Sequence, residues 1–239
     1  MTPEVMATSH LFNIVMEGLQ GESGLFIHYV RLLKELKPDY FFLENVKMKK
    51  RWRHMITGSL GVYPIEINSS LVSAQLRARL YWTNIPNTSI PEDRGLVLQD
   101  ILESGSTDRD KSFCIDASYY KGASYEQYLK KSRRQLVFSN PPIKTRYTSY
   151  KPSHYKGKAY CLRANAGGPT RGVGVANDAG YWRKLTPIEC ERLQTLEDNY
   201  TKYGEVNGER VKISNTQRYK MIGNGFTVDV IAHLLRGLV

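Results

Sequence analysis

"SGLFIHYVRLLKELKPDYFFLENV", residues 23–46, changes period partway along. Leu25, Phe26, Tyr29, Val30, Leu33 and Leu36 recur at helical spacing, with Arg31, Lys34 and Glu35 on the opposite side, so the first half predicts an amphipathic helix. Lys37-Pro38-Asp39 ends it, because the residue before a proline is pushed out of helical geometry. The apolar run Tyr40-Phe41-Phe42-Leu43 then predicts a short strand covered on both faces, closing on the acid Glu44. Helix, tight turn and buried strand is the rhythm of an α/β sheet.

Working outward, a second helix is expected over residues 49–59. VYPIEIN (62–68) alternates like a strand that Pro64 confines to an edge, and RLYWTNI (79–85) reads as another strand. From about residue 87 to 180 the chain turns to loops rich in Tyr, Lys, Ser, Gly and Pro. In LTPIECERLQTL, Thr186 as cap, Pro187 at the first helical position and Glu189 three residues after the cap predict a capping box. MIGNGFTVDVIAHLLRGLV closes the chain as a glycine turn and an apolar helix. The domain division expected from these shifts is 1–90, 91–182 and 183–239.

A chain of 239 residues, 41% hydrophobic, can bury one good core. It has no apolar stretch of membrane-spanning length and no secretory start, and its three cysteines, Cys114, Cys161 and Cys190, form no CxxC pair. A soluble protein of the reducing cytoplasm, without a metal site, is the expectation. The net charge of +11 is concentrated: residues 111–160 hold eleven Lys or Arg against two acids, Asp116 and Glu126, with eight of the 16 tyrosines. Cations that neutralise phosphates, interleaved with rings that stack on bases, suit a nucleic-acid surface better than a solvated loop. Lys121, Arg133 and Arg134 belong to it, and Arg163 and Arg171 are the only cations of the following RANAGGPTRGVGVANDAG (163–180).

Three constellations could carry chemistry. Glu44, backed by Phe41, Phe42 and Leu43 at a strand end where α/β sheets collect ligands, could donate a proton or hold a ring nitrogen; it could equally pair with Lys47 or Lys49. In SAQLRARLYWTN (73–84), a strand would place Gln75, Arg77 and Arg79 in one row able to grip a phosphate and a base edge, or merely a solvated face. GNGF (223–226) could offer backbone amides to a ligand or be a tight connection.

PDYFFLENV, SAQLRARLYWTNI, YWRKLTPIECERLQTL and YKMIGNGFTVDVIAHLL, in this order, give a chain that resembles the cytosine-5 DNA methyltransferase family from about Gly18 onward. DASYYKGASYEQYLKKSRRQLV and CLRANAGGPTRGVGVANDAG are similar to the target-recognition region of phage and bacterial members. The resemblance implies an α/β fold, the latter half of a Rossmann-like S-adenosylmethionine-dependent methyltransferase sheet, plus a small irregular target-recognition domain. It implies transfer of a methyl group from S-adenosylmethionine to C5 of a cytosine flipped out of double-stranded DNA. In that scheme Glu44 holds the cytosine N3 and exocyclic amine, and Arg79 contacts the cytosine carbonyl. Arg77 is assigned to a phosphate, and Gln75 braces the loop beside the DNA. Asn224, Gly225 and Phe226 close one side of the cofactor pocket, while Arg183, Thr186, Glu189 and Arg192 organise the recognition domain.

The family's Phe-x-Gly-x-Gly loop and Pro-Cys nucleophile have no counterpart here: MATSHLFNIVME runs where the Pro-Cys loop would, and a serine or threonine hydroxyl is a poor substitute for a thiolate. The three cysteines match no catalytic position. The expectation is a split or truncated enzyme served by an N-terminal methyltransferase subunit, with a DNA-binding relative that modifies nothing as the alternative, and an unrelated basic nucleic-acid binder as a third reading.

Overall fold

A computed structural model describes residues 25–122, 125–139 and 181–238. The chain divides into two compact units, the first containing residues up to 68, 78–92 and 230 onward, the second residues 69–77 and 93–229.

In unit 1, helix α1 (Leu25–Leu36) leads into strand β1 (Phe42–Val46), and helix α2 (Lys50–Leu60) into β2 (Ile65–Asn68), with β3 (Ala78–Thr83) completing the sheet. The order is β1-β3-β2, both outer strands antiparallel to β3, with Glu44 opposite Tyr81, Val46 opposite Arg79 and Ile67 opposite Arg79 on the other side. The period of two sends Leu43, Leu80 and Trp82 to one face, where they pack with Phe26, Ile56 and Leu60. Trp82 is fully buried and its indole N–H donates to the Thr57 hydroxyl at 3.0 Å. The Tyr29 hydroxyl donates to the Phe42 carbonyl at 3.0 Å and ties α1 to β1. Gly61 ends α2 in the left-handed region, φ 72°, returning its N–H to the Thr57 carbonyl.

The α/β reading holds, and so do the edge placement of residues 65–68 and the two helices. The doubly covered strand does not: among the described residues β1 lies at the edge of the three-stranded sheet, its residues 42–45 are only half-buried, and Val46 is exposed. Glu44 is therefore mid-strand rather than at the strand end. Leu25 and Leu36, at the two ends of the α1 stripe, are exposed.

In unit 2, helix α3 (Tyr125–Lys131), the antiparallel pair β4 (Leu136–Ser139) and β5 (Tyr181–Lys184), helix α4 (Pro187–Leu193), the hairpin β6 (Tyr203–Val206) and β7 (Glu209–Lys212), and helix α5 (Asn215–Asn224) follow in order; helix α6 (Val228–Leu235) begins here and ends in unit 1. Its core gathers Leu98, Ile115, Tyr119, Val137, Leu185, Cys190, Leu193, Tyr219 and Ile222. The capping box forms as expected: the Thr186 hydroxyl accepts from the Glu189 N–H and the Glu189 carboxylate from the Thr186 N–H. That carboxylate, fully buried, also accepts from both terminal nitrogens of Arg183 at 2.7 Å and from the Glu103 N–H at 2.9 Å. A second buried carboxylate, Glu191, accepts from Arg218, from the Thr201 backbone and hydroxyl, and from the Asn199 N–H.

Candidate active site

The face of the unit 1 sheet turned away from Trp82 carries Phe42, Glu44 and Val46 from β1, Arg79, Tyr81 and Thr83 from β3, and Ile65 and Ile67 from β2. Glu44 and Arg79 sit on the diagonal of one antiparallel ladder, a reach that long side chains close readily. They do: Arg79 Nε lies 2.9 Å from Glu44 Oε1, with the two side chains only 14% and 18% exposed. Of the alternatives open in the sequence, neither lysine is the partner; Lys47 pairs with Glu66. Tyr81, 2% exposed and directly opposite Glu44, packs its ring against Phe42 in a tilted arrangement with centroids 5.7 Å apart. Sequence reasoning passed over Tyr81, although counting two residues on from Arg79 reaches it. A carboxylate accepts at several lone pairs, whereas a guanidinium only donates, so this pair can face a heterocycle edge that offers an amine and a carbonyl together.

Gln75 and Arg77 do not continue that row. Both precede β3 and belong to unit 2, where Gln75 is completely buried and Arg77 is 4% exposed. Arg77 donates to the carbonyls of Ile115 at 3.0 Å and Gly225 at 2.8 Å, and reaches Gly223 O at 3.4 Å. The expected phosphate contact is thus replaced by a brace that fixes the GNGF turn. Gln75 does brace a loop, but without access to DNA: its amide donates to Leu193 O and to the Gln194 side chain, which in turn donates to Ile222 O at 2.8 Å and accepts from the Thr227 hydroxyl at 2.8 Å. Buried amides of this kind need every hydrogen bond they make.

GNGF spans the end of α5 and the turn beyond it. A Cβ on Gly223 would come within 2.3 Å of the Asp116 carbonyl carbon, so only glycine lets α5 approach residues 116–117. Asn224 and Phe226 point outward, Phe226 being 50% exposed. Lys121 and Arg133 are exposed; Arg134 is half-buried and donates to the Gly122 carbonyl at 2.7 Å, so it holds the preceding turn. Arg163 and Arg171, and with them Cys161, lie outside the described residues. Cys190 is buried and burial pushes its thiol up, the opposite of an activated nucleophile. A polar cleft of about 330 Å³ in unit 2, lined by Val97, Gln99, Thr107, Asp108, Arg109 and Asp110, contains none of the residues singled out in the sequence. Among the described residues no cluster of His, Cys, Asp or Glu could hold a metal, and no helix is long and apolar enough to cross a membrane.

The family model for the C-5 cytosine-specific DNA methylase matches residues 15–239. The chain belongs to this family. It is 25% identical over 258 residues to the type II methyltransferase M2.ScrFI of Lactococcus lactis subsp. cremoris, covering 92% of this chain and 61% of that protein. It is 24% identical over 240 residues to the type II methyltransferase M.HhaI of Haemophilus parahaemolyticus, covering 91% and 68%. A shorter stretch of 69 residues is 39% identical to the orphan methyltransferase M.SPRI of Bacillus phage SPR, 28% of this chain and 15% of that protein. The chain thus spans about three fifths of the length of the first of these relatives.

Proposed function

We propose that this chain carries the base-binding and DNA-recognition parts of a DNA cytosine-5 methyltransferase, acting on a cytosine flipped out of double-stranded DNA. The observation that carries the reading is the Glu44–Arg79 pair, half-sheltered on one sheet face beside the buried Tyr81. Cytosine presents an exocyclic amine, a ring nitrogen and a carbonyl along one edge. The Glu44 carboxylate accepts from the amine and supports protonation at N3, while Arg79 donates to the carbonyl. A base leaving the stack gives up its stacking energy, and the half-buried Phe42 ring on the same sheet face can return part of it. In this reading β1-β3-β2 is the latter half of a Rossmann-like sheet and residues 91–182 are the target-recognition domain.

S-adenosylmethionine fits in part. The exposed Phe226 ring and Asn224 amide, on a turn anchored by Arg77, can form one wall of its site; the methyl group it supplies is the one transferred. The Pro-Cys nucleophile and the glycine loop for the methionine end do not occur in these 239 residues, so transfer requires a segment that carries them. A second reading, favoured by the concentrated positive charge of residues 111–160, is a DNA-binding relative that modifies nothing. Co-expressing the chain with the amino-terminal part of a related methyltransferase, and following labelled methyl groups into mixed genomic DNA, separates the two. Incorporation lost in Glu44→Gln supports the enzyme; incorporation unaffected by Glu44→Gln overturns the site; DNA binding with no incorporation supports the second reading.

A further inference from the structure

The stretch after Glu44 contains a charge pattern that methyl transfer does not use. From Asn45 to Ile65 there is no acidic residue, while Lys47, Lys49, Lys50, Arg51, Arg53 and His54 fall within eight positions. The fold sorts them. Met55 and Ile56 turn inward, while Lys49, Lys50, Arg51 and His54 are exposed, the last three on one face of α2. Lys47 is drawn aside by Glu66. The arrangement is unfavourable for an isolated helix: the first turn of α2 has no acid and no side-chain cap, and each cation there opposes the helix dipole. Arg51 also lies over the Trp52 ring, 5.5 Å from its centroid, which holds the guanidinium against the surface rather than letting it sweep through solvent. Lys49, Lys50 and Arg51, consecutive and exposed at the start of α2 next to the amide donors of an uncapped turn, match a polyanion in both charge and hydrogen bonding.

We infer that Lys49, Lys50 and Arg51 form a phosphate-backbone contact for duplex DNA in unit 1, separate from the basic region expected in residues 111–160. The inference rests on the reading that double-stranded DNA is the substrate. The contact is to phosphates rather than bases, so it adds affinity and register without sequence preference.

The test is the salt dependence of binding of the full chain to a fluorescein-labelled duplex, followed by anisotropy. The triple substitution Lys49→Gln, Lys50→Gln, Arg51→Gln is compared with an equal charge loss on α1 and the turn that follows it, Arg31→Gln, Lys34→Gln, Lys37→Gln. Loss of about three phosphate contacts lowers the slope of log K against log salt by about 2.7, so affinity falls about 40-fold less between 50 and 200 mM salt. The α1 variant is expected to keep the wild-type slope. An unchanged slope in the α2 variant, or an equal change in both, overturns the inference. Wild-type protein that binds no duplex overturns the DNA reading itself.

Discussion

Two glycines two residues apart in GNGF should respond very differently to the same substitution. In Gly223→Ala the new methyl would lie 2.3 Å from the Asp116 carbonyl carbon, 2.4 Å from its oxygen and 2.5 Å from the Ala117 nitrogen. All three are backbone atoms, so no side chain can rotate away, and separation to ordinary contact needs a main-chain movement of about 1 Å inside a core packed to crystal-like density. Overpacking of this kind costs about 3 kcal/mol, and the better helix propensity of alanine returns at most about 1 kcal/mol. The net loss of about 2–3 kcal/mol corresponds to a melting temperature lower by about 4–12 °C for a chain of this size. In Gly225→Ala the methyl meets only the Met221 carbonyl oxygen at 3.2 Å and that of Ile222 at 3.5 Å, at an ordinary φ of −74°. Its effect should stay within about 1 kcal/mol. Thermal unfolding followed by circular dichroism measures both. A Gly223→Ala protein as stable as wild type, or a Gly225→Ala protein that loses as much, would refute the close-approach argument.

Arg77→Met should destabilise the protein by about 2–4 kcal/mol, because buried carbonyls lose a charged donor; a variant of unchanged melting temperature that had merely lost DNA affinity would restore the phosphate assignment. Burial works to raise the Glu191 carboxyl, but hydrogen bonds from Thr201, Arg218 and Asn199 outweigh it and hold it below the usual carboxylate range. A lowered folded-state value stabilises the protein above the unfolded value of about 4.3 and is lost as pH falls through the folded one. The stability gap between wild type and Glu191→Gln, measured by urea unfolding, should accordingly be wide at pH 7 and narrow below pH of about 4; a gap independent of pH would contradict this. Cys190 should resist alkylation in the native protein and react once it is unfolded, as mass spectrometry of labelled peptides would show, and rapid native labelling would place it at the surface instead.

Local signals in the sequence were legible where one residue's chemistry settles one position. Thr186, Pro187 and Glu189 define the start of α4 whatever surrounds it, and Lys37-Pro38 ends α1. Asn207-Gly208, both at positive φ between β6 and β7, is as clear a hairpin signal, although the flanking strands are largely exposed. What could not be read was partnership. Period two correctly put Arg79 on a strand but extended the row back to Arg77 and Gln75, which the chain turns into another unit before β3 begins. Glu44 read equally as partnered by Lys47 or Lys49, since antiparallel pairing with β3, which delivers Arg79, is a long-range fact that no short window contains.

The central claim, that Glu44 and Arg79 together hold a cytosine for methylation, is tested most directly by bisulfite sequencing of DNA from cells expressing the chain with a segment bearing the Pro-Cys nucleophile. The account predicts 5-methylcytosine at one recurring sequence with the wild-type chain and none with Glu44→Gln or Arg79→Ala, each of which should still bind duplex DNA. Methylation that persists at that sequence in both variants would contradict it.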